Sequence, residues 1–198
     1  MDVGGESTRP GAPAVSADQE LARVQPVVES LAGSDGPGLP VSIDTSKRAV
    51  AEEAIGAGAE IAKDVTALRA EPDLAGACAS AGVEVSLMHM QGDPRTMQED
   101  PTYDDVVDDV RAFLAERIEF ATSQGIAEER IWIDPGIGFG KTPEHNLELL
   151  RRLGELRELG RPILLGASRK SFIGKLTYAD VEQRLGGTIA SNVLALAR

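Results

Sequence analysis

Cysteine is nearly absent: Cys78 is the only one among 198 residues. That excludes a disulfide framework and a metal centre built on cysteine pairs, and it makes a reducing cytoplasm the expected compartment. Cys78 sits in the alanine-rich stretch AGACASAG, which reads as small buried filler and not as the surroundings of a nucleophile. Long apolar runs are missing too, so no segment is expected to cross a bilayer, and no charged-then-apolar leader opens the chain. Positive charge is short, with 20 Lys and Arg against 32 Asp and Glu and a formal charge of −12. A surface of that sign argues against wrapping nucleic acid or an anionic membrane. It leaves room for an anionic small ligand, because a few cations and helix N-termini hold one inside an acidic protein. No linker-like stretch divides residues 1–198, which are expected to form one well-cored domain.

What is present is an alternation of two periodicities. Apolar residues recur at helical spacing at Leu21, Val24, Val28, Leu31 and Ala32, behind Ser16 as N-cap and Gln19 at the capping-box position. Pro26 falls inside this segment and predicts a kink or a late start. A long amphipathic helix follows from Tyr103, Val106, Val107, Val110, Phe113, Leu114, Ile118 and Ala121. Its Asp104, Asp105, Asp108 and Asp109 have the look of a metal cluster, but a solvated first turn that complements the helix dipole accounts for them. Thr142 and Pro143 start a further helix carrying Leu147, Leu150, Leu153 and Leu156, with a stop at Gly160. Between the helices lie short apolar runs: VSI (41–43), AEIA (59–62), VEVSLM (83–88), IWI (131–133) and PILL (162–165). Strands that alternate with helices pair in parallel through right-handed crossovers. Asp44, Lys63, Asp64, His89, Asp134 and the triplet Ser168, Arg169, Lys170 all fall just after these runs. Chemistry is therefore expected at the carboxyl ends of parallel strands, where α/β barrels and open α/β sheets both bind ligands. Seven strand-to-helix steps favour a TIM (β/α)8 barrel over a flavodoxin-like sheet.

The loops differ in how much they say. IDPGIGFGKT (133–142) fails as a P-loop, because Pro135 stands where the first glycine is required, and it fails as GxGxxG because its glycines are spaced by two. A flexible turn explains those glycines but not Asp134 at the strand tip, whose two acceptors suit the N–H edge of a guanidine-like or aminopyrimidine ring. GASRKSFIG (166–174) puts two cations around a helix start, a natural site for a carboxylate or phosphate. SIDTSK (42–47) is a strand tip followed by a cap, so Asp44 or Thr45 is either a capping residue or a ligand group. His89 opens a long polar loop as a candidate base, although a lone histidine more often makes a local hydrogen bond. His145 is expected on the surface and Trp132 in the core or the barrel wall.

Taken together, GGESTRPGA, SIDTSK, LMHMQGDPRTMQ, IDPGIGFGKTPEHN and GASRKSFIG, in this order, closely resemble the dihydropteroate synthase family of folate biosynthesis. The resemblance runs over essentially all of the chain. It implies a (β/α)8 barrel that joins 4-aminobenzoate to 6-hydroxymethyl-7,8-dihydropterin diphosphate and releases pyrophosphate with Mg2+ present, the target of sulfonamides. It implies that Asp134 holds the pterin's aminopyrimidine edge and that Asp44 faces the ring and favours a developing cation. Lys170 would lie against the pterin and line the aminobenzoate pocket. Thr8, Arg9 and Pro10 would form a mobile lid on 4-aminobenzoate, with Gly138, Phe139 and Ser168 completing that pocket. Asp44, Asp134 and Lys170 are thus the expected catalytic residues, with small molecules as the partners and a homodimer for the complete barrel.

Two departures stand out. Where the family has an asparagine that hydrogen-bonds the pterin, this chain has Lys63 in AKDVTAL, and a cation cannot accept a hydrogen bond. The family's first strand, with its metal-binding asparagine, and its last, with an Arg-x-His diphosphate site, are both missing. A (β/α)8 barrel takes about 250 residues. An incomplete barrel is therefore expected, with strands 1 and 8 missing, strand 2 shortened, no metal ligand in this chain, and six strands in an open sheet. The main alternative is a catalytically inactive pterin- or aminobenzoate-binding fragment or paralogue. A methyltransferase partner domain of similar fold is disfavoured by STRPG and SRKS.

Overall fold

Short β-branched and apolar runs separated by helical segments give the expected right-handed alternation. The computed structural model describes residues 1–198. Its strands are β1 (Asp2–Gly4), β2 (Ser42–Asp44), β3 (Ile61–Asp64), β4 (Glu84–Met88) and β5 (Ile131–Asp134). They pair in parallel in the order β1-β2-β3-β4-β5. The helices are α1 (Ala17–Ala32), α2 (Arg48–Gly56), α3 (Leu74–Ala81), α4 (Val106–Ser123), α5 (Pro143–Arg151), α6 (Ser171–Thr177) and α7 (Leu185–Leu196). No helix is long and apolar enough to cross a membrane.

Strand parity sorts the side chains. Ile43, Ala62, Val85, Leu87, Ile131 and Ile133 are fully buried or nearly so in the apolar cores. The alternate positions carry the polar groups Asp44, Lys63, Ser86 and Asp134, so one face of the sheet packs on helices and the other faces a cleft. Register places Asp44 beside Lys63 and Lys63 beside Ser86, whereas Asp134 pairs with Met88, two residues further along. This stagger is the tilt that curls a parallel sheet toward a barrel.

The sheet stays open, and it has five strands where six were expected. The PILL segment contributes an isolated bridge between Ile133 and Ile163, supported by hydrogen bonds from Ile133 N to the Pro162 carbonyl and from Leu164 N to the Ile133 carbonyl. Pro162 has no N–H to extend that ladder. Residues 59–60 lie before β3, which is displaced by two residues toward Asp64.

Several local expectations hold. Ser16 and Gln19 form the capping box of α1; the break expected at Pro26 does not occur, since the helix starts at Ala17 and continues through it. Asp108 and Asp109 occupy the first turn of α4 as expected, but the helix starts at Val106, so Tyr103 and Asp104 precede it and Asp105 is its cap, accepting from the N–H groups of Val107 and Asp108. Cys78 is completely buried, and burial pushes its thiol up to about 11. The segment from Thr142 to Gly160 differs from the single helix expected: α5 stops at Arg151, and residues Leu153–Leu159 continue as a tighter 3-10 helix before left-handed Gly160. His145 is not simply a surface residue. Its side chain completes the cap of α5 and packs edge-on against Tyr103 at 4.9 Å.

Candidate active site

The carboxyl ends of the strands surround a cleft with an unfilled volume of about 540 Å³, counting its mouth. Asp44, Lys63, Ser86, Asp134, Phe139 and Lys170 line it, with Val65 and Met88 as apolar floor. The few polar groups within an apolar lining would fix the orientation of a flat ring.

Asp134 is buried, 7% exposed. Its Oδ1 accepts from the Gly136 N–H at 2.7 Å, and no protein group donates to Oδ2. Burial pushes its carboxyl up, opposed by the Gly136 N–H and by the charges of Lys170, Lys63 and Lys141. Asp44 does not cap α2: Thr45 takes the local bond, accepting from Lys47 N at 3.2 Å, and leaves Asp44 facing the cleft. Burial raises Asp44 to about 6, held back by Lys63 and reinforced by Asp2, Asp64 and Asp134.

Lys63 lies between two carboxylates, its Nζ 2.6 Å from Asp2 Oδ2 and 3.7 Å from Asp44 Oδ2. Burial works against its charge, but Asp44 and Asp2 outweigh it and hold the ammonium above the ordinary lysine value. Lys170 behaves differently. It makes no ion pair, its Nζ lies 4.0 Å over the Phe139 ring, and burial brings it down to about 8 against the pull of Asp134 and Asp44. Gly138, with φ +80, lets the chain pass close under Lys170; a Cβ there would be 3.0 Å from Lys170 Cδ.

The structure therefore brings together Asp44, Lys63, Asp134, Phe139 and Lys170; Gly138 does not line the cleft but lies against Lys170. Thr8, Arg9, Pro10 and Ser168 do not line the cleft. The loop bearing the first three is tied at its base, where Glu6 accepts from Val15 N at 3.0 Å and pairs with Lys47. Nor do Arg169 and Lys170 act as a pair of cations in the cleft. Arg169 is exposed and takes a left-handed φ of +49, with its N–H donating to Thr188 Oγ1 at 2.9 Å. His89 is no candidate base, being buried away from the cleft lining. Ser86 went unnoticed in the sequence, although its place two residues before Met88 puts it on the same face of β4. Asp64 also lines the cleft, but its oxygens are taken up locally: it accepts from the N–H groups of Thr66 and Leu68 at 2.8 and 2.7 Å and shapes the turn after β3.

Set against known proteins, residues 1–198 match the family described as pterin binding enzyme. The chain belongs to that family. Within it, the dihydropteroate synthase of Escherichia coli (strain K12) is 48% identical over 195 residues, which cover 98% of this chain and 68% of that protein. A Yersinia pestis dihydropteroate synthase structure with a sulfonamide drug complex superposes with a TM-score of 0.95 at 46% identity, covering 98% of this chain and 70% of that one. The Xanthomonas albilineans dihydropteroate synthase with 4-aminobenzoic acid gives 0.91 at 49% identity, covering 98% and 68%. These superpositions place the open sheet within the barrel fold of the dihydropteroate synthases.

Proposed function

We propose that residues 1–198 are part of a single pterin-binding barrel domain that condenses 6-hydroxymethyl-7,8-dihydropterin diphosphate with 4-aminobenzoate. One observation carries the reading: two carboxylates and two ammonium groups, three from strand ends and Lys170 from the start of α6, converge on one cleft. Asp134, with one oxygen free, accepts from the aminopyrimidine edge. The C–O bond at the pterin methylene breaks and its electron pair leaves with pyrophosphate. The lone pair of the aromatic amine then forms the C–N bond, and the amine proton passes to solvent. Asp44 and Asp134 favour the positive charge that develops on the pterin, and Lys170 holds the ring from the side of Phe139. No side-chain nucleophile is required, so positioning and electrostatics carry most of the rate. Thr8, Arg9 and Pro10 would close over 4-aminobenzoate from their tied loop, with Gly138, Phe139 and Ser168 as the remaining wall.

The side chains present do not make a Mg2+ cradle, since no three His, Cys, Asp or Glu groups converge. Mg2+ ordinarily binds through substrate phosphates and one or two carboxylates, and the diphosphate is the natural carrier here. A cytoplasmic location fits the single free thiol. A homodimer is proposed for the complete barrel. The deciding assay is dihydropteroate formation by the purified full-length protein at saturating concentrations of both substrates. Pterin binding without turnover would favour the binding-only alternative.

The charges predict a pH profile. Asp44 acts ionised, so activity falls as pH drops through about 6. Lys170 acts protonated, so activity falls as pH rises through about 8. A bell-shaped kcat/KM is expected, and Lys170→Arg, which stays charged, should remove the part of the alkaline limb that Lys170 sets near 8 while leaving any part set by Lys141 near 7. Persistence of the part near 8 would assign it to another group.

Lys63→Asn is expected to lower the pterin KM by about threefold to tenfold, because an amide both donates and accepts at the ring edge. Loss of the Lys63 charge should also move the acid limb upward, since Lys63 holds Asp44 down. An unchanged or raised KM would place Lys63 away from the pterin edge, or show that its pairing with Asp2 already supplies what the asparagine does.

A further inference from the structure

The turn between β5 and α5 forms the Phe139 wall of the cleft, and side chains from elsewhere hold its main chain. Gln98 Nε2 donates to the Gly138 carbonyl at 2.8 Å, and the Tyr103 hydroxyl donates to the Gly140 carbonyl at 2.6 Å. Asn146 Oδ1 accepts from the Gly138 N–H at 2.6 Å. The Phe139 carbonyl is taken by Lys141 Nζ at 2.9 Å. Left-handed φ angles at Gly136, Gly138 and Gly140 turn these groups away from any ladder, so they need such partners.

Lys141 is the unusual member. It is 2% exposed, outside the cleft lining, and paired with no carboxylate. Its Nζ lies 2.8 Å from His89 Nδ1 and 3.4 Å from the His89 carbonyl. Burial, with Lys141 and Arg69 nearby, pushes His89 far below its ordinary value, so the imidazole is neutral and its Nδ1 lone pair accepts from the lysine. The His89 ring is wedged edge-on against Phe113 at 4.9 Å, and its main-chain N–H donates to the Asp134 carbonyl at 2.9 Å. Burial brings Lys141 itself down to about 7, with Asp134 opposing and Lys170 adding to the shift. An ammonium group hidden in this way is costly for stability, and an apolar side chain would fill the space more cheaply.

We infer that Lys141 is a positioning residue for the aminobenzoate half of the cleft. Seated on His89 Nδ1, its ammonium fixes the Phe139 carbonyl and so the Gly138–Phe139 wall on which Lys170 rests. The inference rests on the functional reading above, because it takes Gly138 and Phe139 as the aminobenzoate wall. It separates two ligands that the same cleft receives: Asp134 and Asp44 meet the pterin, and the Lys141 hold acts on the other side.

Lys141→Met keeps most of the length and removes the donor. In the full-length protein, the KM for 4-aminobenzoate is expected to rise about tenfold or more, while the Kd for 6-hydroxymethylpterin by calorimetry changes by less than about threefold. Equal losses for both ligands, or a loss for neither, overturn the inference and leave Lys141 a residue of the core. Should Lys141→Met fail to fold, Tyr103→Phe replaces it, deleting only the hydroxyl on the Gly140 carbonyl. It is expected to raise the same KM about threefold with the pterin Kd unmoved, and a loss shared by both ligands overturns the inference again. Absence of 4-aminobenzoate turnover in the unmodified protein marks a different failure: the functional reading falls, and this inference with it.

Discussion

Asp134→Ala is expected to weaken pterin binding by about 100-fold or more, read by calorimetry with a pterin ligand. The carboxylate is buried in the cleft with Oδ1 spent on the Gly136 N–H and Oδ2 unspent. Truncation removes the acceptor for the ring edge and also leaves Lys63, Lys141 and Lys170 without the charge that favours them. Removing a buried, charged hydrogen-bond partner costs about 2–4 kcal/mol, whereas a rim charge costs well under about one. Asp134→Asn separates shape from charge. It keeps an oxygen for Gly136 but turns an amide NH2 toward the donors of the ring, and a loss of about tenfold or more is expected. Native affinity in Asp134→Ala would remove the pterin from this cleft.

Lys170→Met is expected to lower kcat/KM by about 100-fold or more, with both substrates affected. Lys170 is the cleft cation whose donors no carboxylate has claimed, in contrast to Lys63, which Asp2 holds at 2.6 Å. Its ammonium over Phe139 joins the two halves of the site, since Asp134 and Asp44 attract it from one side and the Gly138 turn supports it from the other. Methionine preserves the packing on Gly138 and Phe139 while deleting the charge, so the measurement isolates the ammonium. Thermal melting of the variant tells loss of fold from loss of function. A kcat/KM within about threefold of the native value would show that Lys170 packs the wall without touching either substrate.

The element pattern was legible because it depends on local chemistry. Helical spacing and the Ser16 cap act within a few residues, and both stand where the sequence put them; that Asp105 caps α4 emerged only in the structure. Asp44 and Asp134 were legible for a related reason: the tip of a parallel strand is a fixed place in the fold, and a polar residue there has one region to face; Lys170, at the start of α6, was legible as a cation at a helix start. The segment after Arg151 was not, because leucines at helical spacing suit an α-helix and a 3-10 helix alike, and packing decides between them.

Tertiary structure alone decided the partnerships. Lys63 stands 61 residues from Asp2 in the chain, and only strand pairing brings the two to 2.6 Å. Lys141 and His89 are 52 residues apart, and neither GKT nor MHM hints that one is seated on the other. The sequence by itself determined the alternation of strands and helices, the family, and which strand tips carry charge. Which of those charges are already paired, and which remain free for a ligand, was set by sheet register and burial. Both depend on contacts between distant segments, and a side chain's neighbours across a sheet are not written in its own stretch of chain.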